Sequence, residues 1–471
     1  MHIGIGILPW TIQLTRDDLP LTAYNLSDMP TSPLPREDLR EMRDRAREMF
    51  DHALLECSIP HAFAQHVQYE DGQLRVGEDS YGLKSFERVL VVSIGKAGHS
   101  MAAAFSSIVD TGLTGIIDCP NLPPAQLFGF RYFTGGHPSP NEDSLRAGDA
   151  ILRLVAGSSP RTLAVFLISG GASAIAEKPI IAGISLADVV ETYRALVHSG
   201  APIAEINAVR KHLSALKGGR LARAAAPACQ VSVLVSDVPE NSLDALASGP
   251  TMPDTTTVAD CYAIVERYNL LQRFPASVRT LFERGPLEET PKQGDPAFGD
   301  SHYTTVLSNA TASDAAVESA VLGDFAIEVD NRCDDWDFQR AGDHLLGRLR
   351  ELRRGVSRAC LISGGEVTVK VAAKSGVGGR NQQFALYCAQ KIAGEKITVL
   401  SAGTDGIDGN SQAAGAVVDG TTVERARQHG FDVAQALADF DAFPLLDAIG
   451  DAIITGPTGN NVRDLRILLA Y

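Results

Sequence analysis

Short apolar runs recur along the chain, and each is broken by a glycine-rich or acidic turn before the pattern becomes helical. Val89–Ser93 reads VLVVS and runs into Ile94-Gly95-Lys96-Ala97-Gly98, after which small residues predict a helix over His99–Val109. Leu163–Ser169 (LAVFLIS) repeats the plan and ends in Gly170-Gly171-Ala172-Ser173, and Val231–Ser236 (VSVLVS) ends in Asp237. Between these two, Ile206–Ala225 has helical character interrupted at Gly218-Gly219. Runs of this length suit buried strands. Strand, turn and helix in alternation predict an α/β fold, a parallel sheet with helices on both faces. Ligands bind such sheets at the carboxyl edge of the strands, and the glycine turns collect there.

Residues 1–35 are proline-rich and lack helical period, so they read as an arm lying over the body. From Arg36 the pattern turns helical, with Leu39, Met42, Ala46, Phe50, Leu54 and Leu55 on one side. Residues 285–303 are rich in proline, glycine and polar residues and predict a domain junction, giving an arm at 1–35 and domains at 36–290 and 300–471. Beyond the junction, strands are expected at Thr304–Asn309, Cys360–Ile362 and Ile397–Ala402. Val367, Val369 and Val371 alternate with Thr368 and Lys370 as a further strand would, and the segment Ile453–Leu469 is expected to end in an apolar helix.

Cys360–Leu386 concentrates the most chemistry: Ser363-Gly364-Gly365-Glu366 turns the chain, and Gly376, Gly378 and Gly379 precede Arg380-Asn381-Gln382 and a helix. Glycines before a helix N-terminus, with an arginine beside them, suit an anion such as phosphate. A glycine-rich hairpin with a solvated arginine fits the same residues. Lys96, between glycines at a strand-to-helix turn, is either an anion ligand or solvated; the Gly-x4-Gly-Lys-Ser/Thr phosphate loop is absent because Ala97 follows it. Asp237 is placed to hold Mg2+ or accept a proton, or else to form the turn. Asp405 and Asp408, in a glycine-rich turn, could bind a metal. His137 and His212 stand alone, and no dinucleotide-binding glycine fingerprint follows any of the strand runs.

The 471-residue chain has 45% hydrophobic and 21% charged residues, typical of a globular protein long enough for more than one domain. A net charge of −15 argues against a nucleic-acid or membrane-surface partner. A local cationic pocket remains compatible with it. The 7 cysteines form no CxxC pair, so neither a disulfide framework nor a zinc site is indicated. No apolar run reaches membrane-spanning length and Met1–Trp10 lacks a basic start, which leads to the expectation of a cytoplasmic protein.

Taken together the turns resemble the class II glycerate 2-kinase family, whose members carry a C-terminal MOFRL domain. The likeness runs from about Arg36 to Tyr471 through SIGKAG (93–98), GGHPSPNE (135–142), LISGGASA (167–174), NAVRKHLSALKGGRLA (207–222), SDVPENSLDALASGPT (236–251), LISGGEVTV (361–369), GGRNQ (378–382), SAGTDGIDG (401–409), AAGAVVDG (413–420) and TGPTGNNVRDLRILL (455–469). The resemblance implies a Rossmann-like domain followed by a MOFRL-type α/β domain, with the active site in the cleft between them. It implies ATP and Mg2+, D-glycerate or a related small hydroxy acid as acceptor, and a homodimer; the alternatives are a catalytically divergent member that binds nucleotide or another acid, and a hydroxypyruvate reductase. It makes Lys96, Asp237 and Arg380 catalytic, with Asp237 also a metal candidate. Gly95, Ser169, Gly170, Gly171, Ser173, Lys217, Gly364, Gly365, Glu366, Asn381, Asp405, Asp408 and Asn461 become candidates for binding substrate or nucleotide. The chain departs from the family pattern at Glu240-Asn241-Ser242, Gln383, Gln412, Ala442-Phe443 and Arg463, and Ala172 replaces a common glycine. Loss of carboxylates near a cleft would favour a different or more anionic acceptor, for which Arg463 could supply a counter-charge.

Overall fold

The computed structural model describes residues 36–371 and 376–471; the arm expected over 1–35 lies outside them. A small antiparallel meander, β1 (Val67–Glu70), β2 (Gln73–Val76) and β3 (Asp79–Gly82), precedes the first large sheet. That sheet takes β4 (Arg88–Ile94), β5 (Thr114–Asp118), β6 (Phe130–Phe133), β7 (Thr162–Ser169), β8 (Cys229–Val235) and β9 (Ser301–Leu307). Their order is β6-β5-β4-β7-β8-β9 and every pairing is parallel, as the strand–turn–helix repeats predict. β7 and β8 are buried along their whole length, which is why they read as unbroken apolar runs.

The second sheet takes β10 (Ala326–Val329), β11 (Ala359–Gly364), β12 (Ile397–Gly403), β13 (Gly415–Asp419), β14 (Ala452–Ile453) and β15 (Asp464–Ala470), in the order β10-β11-β15-β12-β13-β14. Only β10 and β11 run parallel. The helix expected at the end of the chain is strand β15, inserted between β11 and β12. A short apolar run carries no period of its own, and here two flanking strands supply the hydrogen-bond partners that decide the matter. The strand expected over Val367–Val371 does not form: Thr368 makes only an isolated bridge to Asp337.

The sheets divide the chain differently from the expected domain limits. β9 begins within the proline-rich segment and is the edge strand of the first sheet, paired to β8. The segment before it is packed: Thr290 donates to Asp254 and is 1% exposed. Helix Arg36–Glu56, assigned by its position to the first domain, packs instead on β12, β13 and β15 of the second sheet and on helix Asn309–Leu322. Its Leu39, Met42, Ala46, Met49, Phe50 and Ala53 are buried at helical spacing. Arg43 from the same helix meets Asp419 at 3.2 Å and Asp451 at 2.6 Å.

These residues join one continuous core that takes Val91, Val165 and Val233 from the first sheet and Ile362, Leu400 and Ile467 from the second. A separate apolar cluster lies in the insertion between β7 and β9, where helices Leu186–Val197, Ile203–Leu213, Val258–Arg267 and Ala276–Glu283 pack around Leu196, Val209, Ile264 and Phe274. No helix among the described residues is long and apolar enough to cross a membrane.

Because Phe50 is 1% exposed at the centre of the shared core, Phe50→Ala is expected to cost about 3–5 kcal/mol. Urea unfolding followed by circular dichroism should show one transition shifted to lower denaturant, both sheets melting together.

Candidate active site

The carboxyl ends of β4, β5, β7 and β8 meet around two turns. Gly95 adopts φ +128°, and a side chain on it would stand 2.3 Å from Ser169 Oγ, so only glycine lets the two turns touch. Lys96 N–H donates to the Gly170 carbonyl at 2.9 Å, and Ala97 N–H donates to Ser169 Oγ at 3.1 Å. Gly170 is the second close approach: a Cβ there would lie 2.0 Å from Asp237 Oδ2. The side chains of Lys96 and His137 pass over Gly171, 3.1 and 3.0 Å from where its Cβ would stand. Lys96 is exposed, and among the described residues its ammonium has no ion-pair partner. Burial pushes the Asp237 carboxyl up from its ordinary value, opposed by the charges of Lys96 and Arg463.

The second sheet supplies the facing wall. Arg380 opens helix Arg380–Lys391 and binds Asp464 through two nitrogens, Nε to Oδ2 at 2.7 Å and Nη2 to Oδ1 at 3.0 Å. Its Nη2 also meets Glu366 at 2.7 Å, while Nη1 has no hydrogen bond among the described residues. Burial, with Asp464 next to it, raises the Glu366 carboxyl. Asp405 is raised as well, chiefly by burial and then by Asp464; Lys96 and Arg380 both pull it down. Lys96 comes from the first sheet and Arg380 from the second, yet both act on Asp405. The two sheets therefore bring Lys96 and Arg380 within electrostatic reach of the same carboxylate.

Several residues singled out by sequence serve the framework instead. Asp408 accepts from Asn381 N–H at 3.1 Å and from the Gln382 backbone and side chain at 2.9 and 3.0 Å. The helix N-terminus expected to cradle phosphate is thus capped by the chain's own carboxylate, which burial pushes up to about 6. Asn381 is buried beneath it and its side-chain oxygen accepts from Ser401 at 2.6 Å. Lys217 is buried against Glu177 and Tyr193. Asn461 accepts from Arg463 N–H in a local turn. Gly364 lies against Asn309, and Gly365 against Asp334. Ser173 is hydrogen-bonded to Ser248 at 2.9 Å.

Most departures from the family pattern are engaged in framework contacts, and Ala442 lies against Gly378 in the turn before Arg380. Gln383 is buried and donates to the Leu437 carbonyl, Ala442 lies in the core, and Gln412 is exposed. Phe443 N–H donates to Val377. Arg463 does reach toward Asp237 electrostatically, but two of its nitrogens are held by Asp334, one at 2.7 Å, so it is no free counter-charge. The side chain of Asn241 lies outside the described residues.

Two further residues border these turns: His137, which the sequence shows only as a lone histidine, and Asp118, which it does not single out. His137 borders Lys96, whose charge together with burial lowers its pKa. Asp118 ends β5 and ties two turns: its carbonyl accepts from Gly95 N–H at 3.1 Å and its Oδ1 from Gly135 N–H at 2.9 Å. The signal was there, an aspartate after the apolar pair Ile116-Ile117 like Asp237 after its own run, but β5 was too short to stand out.

Residues 45–283 match a family model described as a domain of unknown function, DUF4147, and residues 359–464 match the MOFRL family. The chain is 33% identical to the glycerate 2-kinase of Pyrococcus horikoshii, over 91% of this chain and 97% of that one. It is 35% identical to the D-glycerate 2-kinase of Thermotoga maritima, over 81% of this chain and 91% of that one. A crystal structure of glycerate kinase from Thermotoga maritima superposes with a TM-score of 0.80 at 32% identity, covering 92% of this chain and 100% of that chain.

Burial pushes the Asp118 carboxyl up to about 8, the nearby Asp143 adding to it and the Gly135 N–H opposing it. A raised acid holds a proton in the folded state that the unfolded chain has released. Its contribution to stability is therefore present at low pH and lost as pH rises through about 8. Asp118→Asn removes this loss, with a ceiling of about 1.4 kcal/mol for each pH unit across that window. Thermal melts of both proteins should show the variant gaining on the wild type between about pH 4 and about pH 8, with no further gain above that.

Proposed function

The chain belongs to the class II glycerate kinase family, and from that membership we propose that it is a D-glycerate 2-kinase, transferring the terminal phosphoryl group of ATP to the 2-hydroxyl of D-glycerate. The observation that supports the assignment of roles is that Lys96 and Arg380, from different sheets, act on the same carboxylate, Asp405. Lys96 and Asp237 flank Gly170-Gly171 on one wall, and Arg380 and Asp405 face them from the other. Phosphoryl transfer asks a protein mainly for positioning and for charge stabilisation. Lys96, exposed and without a carboxylate of its own, neutralises the transferring phosphoryl oxygens. Arg380, fixed by Asp464 and Glu366, adds its unengaged Nη1. Asp237, whose proton affinity burial has raised, takes the proton from the 2-hydroxyl as that oxygen bonds to phosphorus and the bond to ADP breaks.

Mg2+ fits this donor set. Burial drives the Asp405 carboxyl toward protonation, a cost that a cation relieves, and Mg2+ commonly uses one or two carboxylates beside phosphate oxygens. Asp405 would hold it from the protein side, and the ion would neutralise phosphate charge. Asp408 is excluded because its oxygens already cap a helix. A nicotinamide-dependent reduction finds no support, since the turn after β4 reads Gly95-Lys96-Ala97-Gly98 and lacks the dinucleotide fingerprint.

Steady-state assays of ADP release should give kcat/KM for D-glycerate of about 10⁴ M⁻¹s⁻¹ or more, because the divergent Gln383 and Ala442 are buried in the framework and Arg463 is held by Asp334. Lys96→Ala and Arg380→Ala should each lower kcat roughly a hundred- to a thousandfold with the fold intact. Near-normal turnover in both variants would overturn the roles given to them.

A further inference from the structure

We infer that Arg210 is the anchor for the acceptor's carboxylate, and hence the residue that restricts the acceptor to 2-hydroxy acids; this rests on the glycerate kinase reading above. Arg210 lies on helix Ile203–Leu213 in the insertion, is only partly exposed, and stacks its guanidinium carbon 4.4 Å from the centre of the Tyr193 ring. Its Nε is buried without an acceptor, and among the described residues it makes no ion pair. Every other lysine and arginine between residues 207 and 223 has a carboxylate. Lys211 holds Asp244 and Asp254, Lys217 holds Glu177, Arg220 holds Glu288, and Arg223 holds Glu288 and Asp295.

The buried acid bonded to Tyr193 cannot serve Arg210. Glu177 already accepts from Lys178 N–H and Ser214 on one oxygen and from Tyr193 and Lys217 on the other. Arg210 is therefore left unpaired among the described residues, and a half-buried guanidinium without an acceptor costs stability until an anion arrives.

Its place on the helix directs that anion to the active site. Asn207 stands three residues before Arg210, so the two share a helix face. Asn207 accepts from Ser248 at 3.5 Å, and Ser248 is bonded to Ser173 in the turn that follows Gly170-Gly171. The same turn borders Lys96 and Asp237. A guanidinium fork binds a carboxylate through two parallel hydrogen bonds and fixes its plane. In a 2-hydroxy acid the reacting hydroxyl sits on the adjoining carbon, so holding the carboxylate also selects which hydroxyl is offered for phosphorylation.

The test uses the full-length protein with Arg210→Gln and Arg210→Lys, comparing D-glycerate with its uncharged amide, glyceramide, and measuring D-glycerate binding by calorimetry without nucleotide. Arg210→Gln should raise KM for D-glycerate roughly ten- to a hundredfold, leave KM for ATP and turnover of glyceramide unchanged, and regain part of its activity with added guanidinium ion. Arg210→Lys keeps the charge but not the fork, and should fall between; it also serves if the glutamine variant does not fold. Unchanged KM and affinity for D-glycerate in a folded variant, or equal losses with glyceramide, would overturn the proposal and leave Arg210 a packing partner of Tyr193. A wild type that binds D-glycerate but does not phosphorylate it would instead overturn the kinase reading, and loss of binding in Arg210→Gln would still support the anchor.

Discussion

One apolar core underlies both sheets, and the cleft exists because of it. Val91 and Val233 of the first sheet share that core with Leu400 and Ile467 of the second, through the buried faces of helices Arg36–Glu56 and Asn309–Leu322. Close-packed interiors transmit displacement rather than absorb it. The two sheets that carry Lys96 and Arg380 are therefore joined by apolar packing. Arg43 reinforces the joint, since it lies on the amino-terminal helix and pairs with Asp419 and Asp451 on the second-sheet side.

Charge is distributed unevenly over this frame. On the second-sheet wall Arg380, Arg463 and Arg466 interleave with Asp464, Asp334 and Glu366. Arg466 is wholly buried in β15 with its nearest carboxylate oxygen, on Asp464, at 3.8 Å and none of its nitrogens hydrogen-bonded. Its desolvation is a standing cost, offset by the neighbouring acids and by the Phe384 ring 5.2 Å away. Arg380 is positioned by that network, while Lys96 on the opposite wall makes no ion pair among the described residues and acts on Asp237 and Asp405 through its charge alone. The net charge of −15 conceals this local asymmetry.

Much was legible in the sequence because burial on both faces leaves a strong one-dimensional trace. β4, β7 and β8 announce themselves as apolar runs, and the turns after them name Lys96, Gly170 and Asp237 directly. Local chemistry settles such features: a run of aliphatic residues has to be buried, and glycine is needed where Gly95 and Gly170 let neighbouring turns come within contact of Ser169 and Asp237. The family resemblance carried the activity further than the residues alone could.

What sequence could not fix were the features that depend on a distant partner. Asp464–Ala470 is a strand because β11 and β12 flank it, although the same residues fit a buried helix. The amino-terminal helix displays its apolar face in the sequence, but not that the second sheet is what covers it. Asp408 and Arg380 look equally free in a glycine-rich stretch. Folding spends Asp408 on a helix end and fastens Arg380 to Asp464, more than eighty residues away, and it leaves Lys96 and Arg210 without ion pairs among the described residues. Spacing along the chain determines period and turn chemistry, whereas hydrogen-bond and ion-pair partners are assigned only when the tertiary structure brings separate segments within a few ångströms.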